Sequence, residues 1–83
     1  MAAEESLFGP DAETLAQRAA DHLALTLEEV GFDVGVAFPG LHGASDKSGT
    51  PTVYLGHVNY SIASDLSAFL ADAVRLGVVL PPR

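Results

Sequence analysis

Hydrophobic and polar positions first follow a helical period, which predicts a long amphipathic helix near the start of the chain. Pro10 and Asp11 suit a helix N-terminus, and Gly31 suits the residue after a C-terminus, so the helix should run to about Val30. Its predicted apolar stripe consists of Leu15, Ala19, Leu23, Thr26, Leu27 and Val30. Leu25 falls on the polar side instead, and we therefore predict that it makes an intermolecular contact.

The period then changes to two, which predicts a β-hairpin in the middle of the chain. Over residues 32–38 the apolar side chains alternate with small or polar ones, and Pro39-Gly40 should end this first strand. Residues 40–51 are rich in Gly, Ser and Pro and are predicted to be an irregular connection. A second strand is predicted from Thr52 to Val58. Because it is apolar on both faces, its second face should be covered, or the strand should pair with another chain.

A second amphipathic helix is predicted after this strand. Asn59 is a good N-cap and Gly77 a good C-terminal stop, so the helix should run from about Tyr60 to Leu76. Asp72 and Arg75 are spaced to form an ion pair on its outer face. An apolar tail follows, made of Val78, Val79 and Leu80.

These elements predict an α+β two-layer domain of order α-β-β-α, with the hairpin packed on two helices. Residues 10–83 would form this single domain, and residues 1–9 a flexible N-terminal segment. A chain of 83 residues builds only a small core, and without cysteine it has no disulfide to support that core. We therefore expect a homodimer to complete the fold.

The sequence predicts a small non-enzymatic protein–protein interaction module whose partner is unknown. Six residues are the predicted partner or dimer interface, because they are apolar side chains on the doubly apolar strand, on the polar side of the first helix, or in the tail: Leu25, Tyr54, Val58, Val78, Val79 and Leu80. The alternative for these residues is that they fill the core of a monomer or lie exposed.

The net charge of −7 argues against direct nucleic-acid binding, since proteins that bind phosphate backbones carry basic patches. The same acidity leaves an alternative function open, that of an acidic inhibitor or decoy of a nucleic-acid-handling protein. Neither a secretory signal nor a membrane-spanning stretch is evident, so we expect a cytoplasmic protein with no membrane partner. The lysine-poor composition, rich in Ala, Leu, Val and Gly, is typical of a bacterial protein.

No catalytic motif is evident, and we expect neither enzymatic activity nor a cofactor. Cysteine is absent and Gly-x-Ser-x-Gly does not occur. The three histidines, His22, His42 and His57, lack the spacing of a metal motif. Another alternative function is nevertheless a small-molecule or metal binder that uses the 40–51 loop, with His42, Asp46 and Lys47 as its residues.

The order of elements over residues 11–76 resembles the β-hairpin docking domains of natural-product assembly lines. The likeness rests on the Val30-Gly31-Phe32-Asp33-Val34 transition and on the capped second helix. It implies a dimeric docking domain of a biosynthetic assembly line, which is a further alternative for the function.

Overall fold

The computed structural model describes residues 11–82, which form a small α+β domain of order α-β-β-α with one additional helical turn. The elements are α1 (Ala12–Val30), the single turn α2 (Val34–Ala37), β1 (His42–Ser45), β2 (Pro51–Tyr54) and α3 (Tyr60–Arg75). The N-terminal segment predicted to be flexible, residues 1–9, lies outside the described residues.

Helix α1 begins and ends where the sequence predicts. The carboxylate of its N-cap, Asp11, accepts a hydrogen bond of 2.8 Å from the backbone N–H of Thr14. At the other end Gly31 has a φ of 127°, which glycine adopts readily. The backbone N–H of Phe32 then donates to the carbonyl of Leu27 at 3.0 Å, which closes the helix as a Schellman motif does.

The strand predicted over residues 32–38 is wrong, because this segment contains the helical turn α2. The carbonyl of Asp33 accepts from the backbone N–H of Ala37 at 2.7 Å, and the carbonyl of Val34 accepts from that of Phe38 at 2.8 Å. Ala37 and Phe38 are buried, whereas Val36, which a strand would bury, is 77% exposed. The same apolar residues fit a helical spacing as well as an alternating one, and so short a run cannot separate the two.

The hairpin instead lies further along the chain. Strand β1 occupies part of the predicted loop, and it pairs antiparallel with β2, so that His42 faces Tyr54 and Ser45 faces Pro51. The predicted irregular connection of residues 40–51 is therefore too long. The second strand is shorter than predicted, because it ends at Tyr54 rather than Val58. Gly56, with a φ of 78°, leaves the extended conformation that a strand requires.

The hairpin lies directly on the backbone of α1. A Cβ atom added at Gly43 would stand 2.3 Å from the carbonyl carbon of Ala16 and from the backbone nitrogen of Gln17. The backbone N–H of Gly43 donates to Oε1 of Gln17 at 3.1 Å. Ala16 and Ala20 are buried, whereas Leu15, part of the predicted stripe, is largely exposed. The buried face of α1 therefore shares Leu23 and Leu27 with the predicted stripe, but it is rotated toward Ala16 and Ala20, whose small side chains admit the hairpin.

Helix α3 also has the predicted boundaries. The side chain of Asn59 accepts from the backbone N–H of Ile62 at 2.9 Å, and Gly77, with a φ of 83°, follows the last turn. Arg75 and Asp72 form the predicted ion pair. The helix reaches the core cluster of Leu27, Ala37 and Phe38 through two half-buried side chains, Ile62 and Leu66. None of the residues of α3 is itself buried.

Candidate functional site

An apolar groove, here called the helical groove, lies between α1 and α3. Its volume is about 290 Å³, and a single hydroxyl interrupts its aliphatic and aromatic lining. The lining residues are Leu23, Thr26, Leu27, Val30, Phe38, Leu41, Leu55, Leu66, Phe69 and Leu70. Such a groove, at the small end of ligand pockets, suits the side chains of a helix or peptide better than a large polar metabolite.

The groove continues onto an exposed apolar face of α3. Leu70 is 53% exposed and Val74, one turn further on, is 60% exposed. Phe69, which also lines the groove, is nearly half exposed. Leu70 and Val74 continue the i, i+4 series that begins with the half-buried Ile62 and Leu66, so the core covers only the first turns of the apolar stripe.

The six predicted interface residues lie on different parts of the fold. Leu25 is exposed on α1, Tyr54 is exposed at the end of β2, and the tail residues Val78, Val79 and Leu80 are exposed beyond α3. Val58 is half-buried against the core cluster of the same chain. None of these six residues, all of which the structure describes, lines the helical groove. Phe69 and Leu70 were not predicted as interface residues, although the helical period places both on the apolar stripe of α3.

The structure does not bring the predicted loop residues together. His42 begins β1, and Asp46 follows its last residue, so about 13 Å of strand separates them. Oδ1 of Asp46 accepts from the backbone N–H groups of Ser48 and Thr50, both at 2.9 Å, and thereby holds the hairpin turn. Lys47 is exposed within this turn.

His42 instead lines a second and more open depression, here called the hairpin groove, with a volume of about 600 Å³. Its lining residues are Pro39, Gly40, His42, Tyr54, Gly56 and His57. Gly56 brings the two chain segments together, because a Cβ atom at this position would lie 2.7 Å from the Cα of Gly40. This backbone crossing, rather than a local spacing in the sequence, brings His42 and His57 into one groove. The sequence alone therefore gave no signal that relates the two residues.

The His42 side chain is held on two sides. Its ring stacks on that of Tyr54, with 5.1 Å between the centroids and 16° between the planes. Its Nδ1 atom lies 2.7 Å from the carbonyl oxygen of Gly40. Because a carbonyl oxygen only accepts hydrogen bonds, Nδ1 carries the proton and Nε2 of the neutral ring retains its lone pair.

Across residues 11–82 no cluster of three or more histidine, aspartate and glutamate side chains has an arrangement that could hold a metal ion. No helix in this same part of the chain combines the length and the apolar character needed to cross a membrane.

Comparison with protein-family models, with curated proteins and with solved structures finds no significant match to the chain.

Proposed function

We propose that this chain is a non-enzymatic protein–protein interaction module that self-associates through the helical groove and the adjoining face of α3. The observation that carries the proposal is the incomplete burial of α3. This helix is amphipathic over 16 residues, yet none of them is buried within the chain. An apolar helical face of this kind marks an interaction surface.

A second copy of the chain is a suitable occupant because both complementary parts are present in one protomer. The side chains of Leu70 and Val74 are exposed on α3, and the groove beside them has an apolar lining that suits such side chains. A two-fold axis would place α3 of each protomer against the groove of the other, and such an interface closes after two copies. Each buried Å² of apolar surface contributes about 25 cal/mol.

Charge gives this association a recognisable salt dependence. Each chain has a net charge of −7, so two copies repel each other at low ionic strength. Added salt screens the repulsion, and the dimer should therefore become tighter as salt increases. An acidic decoy bound to a basic partner would show the opposite dependence, because salt weakens attraction between unlike charges.

The test is analytical ultracentrifugation of the wild type and of two variants with the same added charge. Leu70→Glu places a carboxylate in the proposed interface, whereas Ala68→Glu places one at an exposed position on the same helix outside the groove lining. The wild type and Ala68→Glu should approach twice the chain mass of 8.6 kDa as concentration increases, while Leu70→Glu should remain monomeric.

A wild-type protein that remains monomeric at about 1 mM, where even an association free energy of about −4 kcal/mol would be visible, would refute self-association. Equal dimerisation of Leu70→Glu and the wild type would instead show that the copies meet through another surface.

A further inference from the structure

Two imidazole side chains from distant parts of the chain line the hairpin groove. His42 comes from the start of β1, and His57 follows the glycine crossing that ends the hairpin. We infer that His42 and His57 form a binding site for one divalent transition-metal ion of the borderline class, namely Cu²⁺, Zn²⁺ or Ni²⁺. This site is separate from the helical groove, so metal binding would be a second property of the chain besides the proposed self-association.

The orientation of His42 is the first argument. Histidines that bind metals typically donate their second ring N–H to a carbonyl or carboxylate, which fixes the tautomer and makes the free nitrogen a better ligand. The 2.7 Å contact from Nδ1 of His42 to the carbonyl oxygen of Gly40 has this form. The stacked ring of Tyr54 further restricts the imidazole, so less side-chain freedom is lost on metal binding.

The rigidity of the groove floor is the second argument. A Cβ atom at Gly40 would lie 3.0 Å from the Cα of Gly56, so the two backbones cross in close contact. Gly56 also has a positive φ, which side chains other than glycine rarely adopt. The close crossing of Gly40 and Gly56 therefore restricts how far the segments that carry His42 and His57 can move relative to each other.

The donor set and the charge select the metal class. Imidazole nitrogen suits Cu²⁺, Zn²⁺ and Ni²⁺, whereas Ca²⁺ and Mg²⁺ require several oxygen ligands. The residues that line the hairpin groove include no lysine or arginine to repel a cation, and the net charge of −7 attracts one. Two protein ligands are fewer than the four of a structural zinc site, so water or another ligand would complete the coordination.

Calorimetric titration with NiCl₂ and ZnCl₂ tests the site, with His22→Gln as the matched control. His22 is exposed on α1 and does not line the hairpin groove. We expect one ion per chain in the wild type and in His22→Gln, an affinity lower by at least about tenfold in His42→Gln or His57→Gln, and loss of binding in the double variant. Circular dichroism of each variant checks that the fold is retained.

Two further titrations test which side chains supply the ligands and whether one chain is sufficient. Asp46→Asn should bind Ni²⁺ as the wild type does, because the Asp46 carboxylate accepts hydrogen bonds within the hairpin turn and does not line the hairpin groove. The Leu70→Glu variant should also retain binding, since one chain supplies both ligands. The proposal is overturned if the double histidine variant binds with wild-type affinity, if His22→Gln weakens binding as much as His42→Gln, or if the wild type binds neither ion.

Discussion

The two long helices carry similar amphipathic patterns but are held in the fold in different ways. Helix α1 contacts the hairpin backbone to backbone, through the small residues Ala16, Ala20 and Gly43. Helix α3 reaches the core through the half-buried side chains of Ile62 and Leu66, and much of its apolar face is exposed. One amphipathic helix therefore packs against the hairpin of the same chain, whereas residues 11–82 leave much of the apolar face of the other uncovered.

This difference shows that an amphipathic pattern predicts which face of a helix is apolar. It does not predict what that face packs against. Close packing through glycine and alanine leaves little space for change, because neighbouring backbones cannot move apart without losing the contact. Packing through larger, partly exposed side chains tolerates change within the chain but depends more on a partner. Perturbations of the two regions should therefore differ in size and in their dependence on protein concentration.

The largest effect should come from Gly43→Ala. The added methyl group would lie 2.3 Å from backbone atoms of Ala16 and Gln17, so the hairpin must move off α1. We expect a loss of about 3 kcal/mol or more in the free energy of unfolding, which is the upper end for overpacking. Urea unfolding followed by circular dichroism measures this loss.

Gly35→Ala is the matched control for this substitution. A Cβ atom there would meet Oδ1 of Asp33 at 3.8 Å, an ordinary contact, and alanine favours the helical turn α2. Its stability should be unchanged or greater by about 0.5 kcal/mol. A loss in Gly35→Ala equal to that in Gly43→Ala would show that the close hairpin contact is not the cause.

A pair of leucine substitutions compares the two helices directly. Leu27, on α1, is 8% exposed, and Leu27→Ala should lose about 2–3 kcal/mol of stability. Leu66, on α3, is half-buried, and Leu66→Ala should lose about 1 kcal/mol in dilute solution.

The two leucine variants should also differ in how their loss of stability depends on protein concentration. If a second copy covers the face of α3, the loss in Leu66→Ala should increase with protein concentration, while the loss in Leu27→Ala should change less. Equal losses in dilute solution would contradict the view that the chain holds α3 more weakly than α1.

The sequence predicted the helix boundaries because their end signals are local. Gly31, Asn59 and Gly77 each act on their own turn, and the structure confirms them as helix-end residues, while Asp11, predicted near the start of α1, is its N-cap. The helical period also placed Phe69 and Leu70 on the apolar stripe of α3, but that stripe was predicted to face the core, and its exposure was not predicted.

The middle of the chain was less predictable because long-range contacts determine it. Residues 42–45, His-Gly-Ala-Ser, have weak strand propensity, and they pair because Gly43 fits against α1. Residues 32–38 alternate as a strand would, yet burial of Phe38 beside Phe32 favours a helical turn, with 5.4 Å between the two rings. The grouping of His42 with His57 likewise depends on the crossing of Gly40 and Gly56.

The smallest effect should be a difference between the N-caps of the two helices in how much stability each loses at low pH. Asp11 accepts the backbone N–H of Thr14, and this hydrogen bond lowers the pKa of its carboxyl group below the usual value. The contribution of Asp11 to stability is therefore present above an unfolded-state pKa of about 3.9 and is lost as the pH falls through the lower folded-state value. Asn59 caps α3 through an amide, which does not titrate in this range.

Exchanging the two cap residues tests this difference. Because Asn and Asp are nearly equivalent caps at neutral pH, Asp11→Asn should be as stable as the wild type at pH 7. On acidification to about pH 3, Asp11→Asn should lose less stability than the wild type loses. Asn59→Asp should acquire the acid sensitivity that Asp11→Asn has lost, since the new carboxylate would accept from the backbone N–H of Ile62. Urea midpoints at the two pH values measure both changes. Parallel acid losses in all three proteins would show that carboxylates elsewhere, rather than the cap of α1, cause the response.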